Sequence, residues 1–239
     1  MTLSQDEVHR RAREFENESA ETIVAWALER FRHRIALSTS FQLGGIVLID
    51  IALKIDPNAR VFTLDTGRLH QETYNMMDRV RERYGITLEV LFPDAAEVEA
   101  MVRTKGPNLF YDSVENRQMC CAVRKVSPLQ KYLAGLDAWV SALRRDQSPA
   151  RANVQKIELD AVNGGIIKFN PLADWTWQQI DDYAREHRVP RHPLYAKGYA
   201  SIGCLPCTRA IEPGQDVRAG RWWWESGAQK ECGMHVAHT

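Results

Sequence analysis

Five cysteines carry the sharpest chemical signal in this 239-residue chain: Cys120, Cys121, Cys204, Cys207 and Cys232. An odd number argues against a disulfide framework; where thiols are kept reduced they serve metal ligation, catalysis or plain burial. Cys120-Cys121 and Cys204-Leu205-Pro206-Cys207 form two pairs far apart in sequence, and Cys-x-x-Cys is a common metal or cluster spacing. Four thiolates suit one zinc ion or one iron–sulfur cube. Adjacent cysteines fit zinc poorly, because neighbouring side chains diverge and must still reach one small tetrahedral ion. A four-iron cube offers each thiolate its own corner. From the residues alone, cluster, zinc and buried free thiols all stay open. Arg117, Arg124 and Lys125 flank the first pair, cations able to offset thiolates or hold an anion beside them.

The fifth cysteine lies in Lys230-Glu231-Cys232-Gly233-Met234-His235. A segment near a chain end is expected to be mobile. Lys230 and His235 would favour the thiolate, which is the nucleophilic form; an ordinary free thiol is the simpler alternative. Arg218, Arg221 and Trp222-Trp223-Trp224 come just before. Three consecutive tryptophans cannot all face one core, so at least one is expected to line a cleft or cover the cysteine region.

Three further segments could hold an anion. Ser38-Thr39-Ser40-Phe41-Gln42-Leu43-Gly44-Gly45 offers hydroxyls and backbone amides ahead of a helix, a setting for phosphate or sulfate, although the Lys of a Walker A loop is missing and helix capping explains the same residues. Leu64-Asp65-Thr66-Gly67 could position a ribose or base, or simply turn the chain. Arg144-Arg145-Asp146, with Arg151 behind it, offers guanidiniums for bidentate capture of sulfate or phosphate oxygens, or a solvated charged loop.

The elements that must position these residues follow from periodicity. Ile23, Val24, Ala27, Leu28 and Phe31 have helical spacing, Arg34 to Leu37 reads as a buried strand, and Ile46 to Leu53 as an apolar helix. A second strand over Arg60 to Leu64 ends at Asp65. A helix over Gln71 to Tyr84, closed by Gly85, leads to a third strand over Ile86 to Phe92. Ala138 to Leu143 fits the same sheet; beyond Gly164 the order is less regular. Strands alternating with helices predict a single α/β domain on a parallel sheet with right-handed crossovers. Ligands of such sheets sit beyond the carboxyl ends of the strands, where Ser38, Leu64 and Arg144 fall. Thirty-one basic and thirty-one acidic residues cancel, so global charge predicts neither nucleic acid nor a membrane surface as partner. Met1 to Glu18 has no apolar signal-peptide core and no apolar run is long enough to span a bilayer, which predicts a cytoplasmic protein.

Taken together, these motifs resemble the adenylyl-sulfate reductase branch of the assimilatory sulfonucleotide reductases. The matching pieces are the loop at 38–45, Leu64 to His70, Cys120-Cys121-Ala122-Val123-Arg124-Lys125, Arg144 to Pro149, Gly203 to Arg209, Arg221 to Glu225 and Lys230 to His235, in the family's order. The loop lacks an acidic residue expected in some relatives. The resemblance implies an adenine nucleotide alpha hydrolase-like fold, one [4Fe–4S] cluster on Cys120, Cys121, Cys204 and Cys207, Cys232 as nucleophile, and thioredoxin or a similar dithiol protein as reductant. Substrate contacts are expected from Ser38, Thr39, Ser40, Leu64, Asp65, Thr66, Gly67, Lys125, Arg144, Arg151, Arg218, Arg221 and His235, in a body spanning 1–221 with a flexible tail at 222–239. The implied reaction is thioredoxin-dependent reduction of adenylyl sulfate to sulfite and AMP through a cysteine S-sulfonate. The 3′-phosphorylated substrate is the runner-up; an adenylating ligase of the same fold would need an intact Ser-Gly-Gly pyrophosphate loop, and a zinc module would leave Cys232 idle. Homo-oligomerisation is left open.

Overall fold

The structure, a computed structural model, describes residues 3–226 together with Glu231, Gly233 and Met234. Two capped helices open the chain. Ser4 and Glu7 form a reciprocal capping box at the start of α1 (Gln5–Phe15), and the Ser19 hydroxyl caps α2 (Ala20–Phe31). All five apolar residues whose spacing predicted α2 are buried. Strand β1 (Ile35–Ser38) leads to helix α3 (Leu43–Ile55), β2 (Val61–Leu64) to α4 (Gln71–Tyr84), and β3 (Leu88–Leu91) to α5 (Ala95–Lys105). Gly85 takes the left-handed conformation at φ 65° and returns its amide to the Arg81 carbonyl, which is why α4 stops where glycine enters the sequence. Then come α6 (Val114–Cys121), a π-helical turn over Ala122–Val126, α7 (Ser127–Leu133), β4 (Ala138–Val140), β5 (Ile157–Asp160), β6 (Ile166–Phe169) and α8 (Trp177–Glu186).

The six strands form one sheet in the order β3-β2-β1-β4-β6-β5. Every pairing is parallel except the last, where β5 lies antiparallel to β6 as a hairpin edge. The expected parallel sheet is present with one antiparallel edge: a short turn at Gly164-Gly165 joins β5 to β6, and a link that short permits only an antiparallel partner. Two strand ends are shorter than the sequence pattern suggests, with β3 confined to Leu88–Leu91 and β4 ending at Val140.

One large core of α1, α2, α3, α4 and the sheet centres on Ile23, Leu37, Val47 and Val140, each 0% exposed. Successive strands run outward to β3 on one side of β1 and to β4, β6 and β5 on the other. The order therefore reverses between β1 and β4, and the carboxyl ends of β1, β2 and β4 open a crevice at that switch point. No helix among the described residues is long and apolar enough to cross a membrane.

Candidate functional site

A cavity of about 190 Å³ occupies this crevice. Its floor is the β1–α3 loop. Thr39 receives the Phe41 amide on its hydroxyl at 3.0 Å, and Phe41, fully buried, is held at φ +58°, a strained angle for an aromatic residue that survives because packing and this bond both fix it. Helix α3 begins three residues earlier than its apolar pattern suggests. Gly44 and Gly45 belong to its first turn, and the Leu43 amide donates to the Tyr195 hydroxyl at 3.0 Å, a tertiary cap. Ser38, Thr39, Ser40, Leu64 and Thr66 all line the cavity, joined by Lys125, Arg144, Arg151, Arg218 and Arg221. Ten of the thirteen residues expected to touch substrate are thus gathered around one space.

Asp65 and Gly67 stand behind that wall. The Asp65 carboxylate accepts the Gly67 amide and the Tyr74 hydroxyl, both at 2.8 Å, so it builds the turn that presents Thr66. Burial, helped by Asp65, pushes the Tyr74 phenol up to about 12. The remaining expected contact, His235, and the expected nucleophile, Cys232, lie outside the described residues.

The cations differ in how they are held. Arg144 is tied to Asp146 at 2.9 Å. Arg151 and Arg218 converge on the Glu231 carboxylate, at 2.9 and 3.1 Å. Arg221 lies flat on Trp222, guanidinium carbon 4.6 Å from the ring centroid, with Nη1 3.4 Å from the Ser201 hydroxyl and Nε without a partner. Its head passes so close over Gly203 that an added Cβ would sit 2.4 Å from Nη2. Glycine is needed there for the approach. Among the described residues no carboxylate pairs with Arg221.

Beyond Lys125, Cys204 and Trp222, which line both spaces, the four cysteines Cys120, Cys121, Cys204 and Cys207, all buried, surround a second void. Cys120 and Cys121 end α6, where successive side chains diverge by about 100°. The π-helical turn that follows carries Arg124 and Lys125, both buried. Cys204 meets the Thr66 hydroxyl at 3.3 Å. Burial alone would raise the Cys204 thiol, but Lys125, Thr66 and Arg221 outweigh it and hold the thiol below its ordinary value. Burial and the neighbouring Cys204 push Cys207 up to about 12, and burial likewise raises Cys120. Among the described residues no group of three or more His, Cys, Asp or Glu side chains is placed to hold a metal ion, although the four thiols line one void. Two of the void's lining residues, Arg124 and Trp222, carry buried N–H donors (Nε and Nε1) with no protein acceptor, and the Trp224 Nε1 packed beside them is in the same state. Buried donors left unpaired are costly, and the sulfur atoms of an iron–sulfur group would supply acceptors. The residues present fit such a group.

Several residues of the site escaped the sequence reading. Gln147 accepts from both the Arg144 amide and Arg151, Tyr195 caps α3, and Ser201 steadies Arg221. Gln147 stood within the Arg144 to Pro149 motif without a task, while Tyr195 and Ser201 carry no local motif. Glu231 stood within a recognised motif and was not assigned a task.

Comparison with known proteins matches this geometry. The phosphoadenosine phosphosulfate reductase domain matches residues 34–210. A Burkholderia cepacia protein named adenosine 5'-phosphosulfate reductase is 48% identical over 86% of this chain and 82% of its own length. A Pseudomonas aeruginosa protein of the same name is 43% identical over 93% of this chain and 84% of its own. Among solved structures, a phosphoadenylyl-sulfate reductase from Candida auris in a phosphate complex superposes with a TM-score of 0.74 at 27% identity, covering 88% of this chain and 99% of that one. An NH3-dependent NAD synthetase from Campylobacter jejuni, at 8% identity and a TM-score of 0.52 over 80% of this chain and 79% of its own, shares the fold alone. A domain match that begins at β1 and runs past the second cysteine pair, with identities above 40% over most of the chain, means that this chain belongs to the phosphoadenosine phosphosulfate reductase domain family.

Proposed function

We propose that the chain reduces adenylyl sulfate to sulfite and AMP in sulfate assimilation, in the cytoplasm, with a dithiol protein of the thioredoxin kind as reductant. The observation that carries this reading is the shared wall. Lys125, Cys204 and Trp222 line both the cation-rich cavity at the strand ends and the void between the four cysteines. The names of the bacterial relatives, adenosine 5'-phosphosulfate reductases, support the same substrate.

Residues 1–221 serve as the nucleotide-binding body and 222–239 as the segment that carries the nucleophile. Ser38, Thr39, Ser40, Leu64 and Thr66 line the end of the cavity that takes the nucleotide, on the turn shaped by Asp65 and Gly67. Lys125, Arg144, Arg151, Arg218, Arg221 and His235 supply positive charge around the anionic groups. The Cys232 thiolate attacks the sulfur of adenylyl sulfate, the bridging S–O bond breaks, and AMP leaves with the electron pair. The cations matter because an anionic nucleophile approaches an oxygen-rich anion; charge placed in advance removes that repulsion. Cys232 is left as an S-sulfonate. A dithiol thiolate then attacks the Cys232 sulfur, sulfite leaves with the S–S electron pair, and the second thiol resolves the mixed disulfide, so the dithiol supplies both electrons. Cys120, Cys121, Cys204 and Cys207 would hold one [4Fe–4S] cluster per chain. When bound, it supplies thiolate-linked positive iron and acceptor sulfurs beside Arg124 and Lys125.

The test is Cys232→Ser in cluster-loaded protein. Iron content and AMP binding are expected to persist while sulfite release stops, and wild-type protein given adenylyl sulfate without reductant is expected to carry one SO3 group on the C-terminal peptide. Sulfite production by the serine variant, or a wild type that never shows the adduct, ends the proposal. The likeness to a phosphoadenylyl-sulfate reductase favours a second reading, turnover of the 3'-phosphorylated substrate. Comparing kcat/KM for the two nucleotides decides between them.

A further inference from the structure

One buried anion of the cavity wall comes from the protein itself. Glu231, 5% exposed, lines the cavity and takes Arg151 across both carboxylate oxygens, from Nε at 3.1 Å and from Nη2 at 2.9 Å. Arg218 Nη2 joins at 3.1 Å, and the Ser148 hydroxyl at 3.4 Å. Its backbone carbonyl accepts Arg117 Nη1 at 2.8 Å, and Arg117 is itself fixed by a two-pronged pair with Glu225, at 2.8 and 2.9 Å, and by Trp222 beneath it. Three arginines, from α6, from the turn at Pro149–Arg151 and from the stretch before Trp222, therefore close on a single residue. Burial alone would keep the Glu231 carboxyl protonated; Arg151, Arg218 and Arg221 outweigh it and hold it below the usual carboxylate range. The next residue in the chain is Cys232.

We infer that Glu231 is a positioning residue, a latch whose pairing with Arg151 and Arg218 anchors the chain at the cavity wall one residue before Cys232 and leaves Arg221 to face the substrate's anion. Two observations favour a latch over a competitor for the substrate's place. The cavity keeps its volume with Glu231 already built into the wall, and Met234 lines the same wall. Arg221, unlike Arg151 and Arg218, has no carboxylate partner among the described residues and keeps an unpaired Nε aimed into buried space. The inference rests on the proposed role of Cys232 as nucleophile.

The test uses cluster-loaded protein with Glu231→Gln and Glu231→Asp. Iodoacetamide labelling of Cys232 without substrate is followed by the mass of the C-terminal peptide, and turnover of adenylyl sulfate is measured alongside. Glu231→Gln removes the charge between two buried guanidiniums, so labelling is expected to speed up about tenfold and kcat to fall about tenfold. KM is expected to stay within about threefold, and Glu231→Asp to recover part of both losses. Unchanged labelling and kcat overturn the latch. A lower KM in the Gln variant also overturns it, because it makes Glu231 a rival of the substrate. Should the Gln variant lose iron or aggregate, the Asp variant, whose carboxylate is one methylene short of Arg151 and Arg218, supplies the comparison, with the same directions expected at smaller amplitude. A wild type that never forms the sulfonate defeats the nucleophile assignment, while the labelling comparison still decides the latch.

Discussion

Gly203→Ala perturbs the anion site without touching a charge. A Cβ built at Gly203 falls 2.4 Å from Arg221 Nη2 and 2.6 Å from its Cζ, well inside contact distance. The obstacle is the far end of a flexible side chain, so the chain tolerates the methyl by moving the guanidinium about 1 Å rather than by unfolding. That group is 5% exposed, stacked 4.6 Å from the Trp222 centroid, and lines the cavity. Removing an aimed donor of this kind costs about 2–4 kcal/mol of transition-state stabilisation, and displacing it by about 1 Å costs roughly half. Gly203→Ala is therefore expected to lower kcat/KM about 5–30-fold, and Arg221→Ala about 30–1000-fold. The double variant is expected to match Arg221→Ala, since the methyl then has nothing left to displace. The assay is anaerobic sulfite release at limiting adenylyl sulfate, with iron content measured in each variant because Gly203 adjoins Cys204. A Gly203→Ala protein within about threefold of wild type, or a double variant whose losses simply add, refutes the placement of Arg221 at the anion.

Anaerobically purified protein is expected to be yellow-brown, with about four iron and four sulfide per chain; colourless protein with stoichiometric zinc and full activity contradicts the cluster. His192 provides a pH prediction. Its Nδ1 accepts the Leu194 amide and its Nε2 meets the Thr73 hydroxyl at 3.1 Å, so the buried ring is neutral, and burial lowers its pKa to about 4. A histidine depressed on folding contributes stability that is complete above the unfolded value near 6.5 and is lost as pH falls toward the folded value; by pH 5 the loss is about 2 kcal/mol. Urea midpoints at pH 7.5 and pH 5 are expected to differ more in wild type than in His192→Gln, and equal differences refute the assignment.

What was legible in the sequence was what local chemistry decides. Helix α4 starts at Gln71 and ends at Tyr84 as read, because its apolar period and its Gly85 cap both lie within the segment. The ends of β1 and β2 were legible for the same reason, and with them the place of the cavity. The start of α3 was not: its first amide is capped by Tyr195, 152 residues away, and nothing near Gly44 announces that partner. The β5–β6 hairpin was missed because what fixes β6 is its pairing with β4, a partner more than twenty residues away in the chain. Among the arginines, the sequence supplied the set and not the division of labour. Arg151 meets Glu231 across 80 residues, a pairing that only the folded chain creates.

The second cysteine pair shows why four thiols and an anion site belong in one protein. Residues 203–221 contain little regular structure: a 3₁₀ turn at Leu205–Cys207 and an isolated bridge between Thr208 and Arg221. Side chains and backbone together tie this segment to the body. Cys204 reaches the Thr66 hydroxyl, the Leu205 amide donates to the Arg68 carbonyl, and Arg124 donates to the Thr66 carbonyl at 2.7 Å, so the π-helical turn and the second pair both close on the loop after β2. On the proposed reading, Cys120 and Cys121 at the end of α6 and Cys204 and Cys207 in this segment would hold one iron–sulfur group, which would tie α6 to the segment. The residues thereby fixed are the cations of the site, with Lys125 on one side of the link and Arg221 on the other. If a dithiol protein brings both electrons, as proposed, such a group need carry none, and its part would be to hold two cations from distant parts of the chain at one cavity wall.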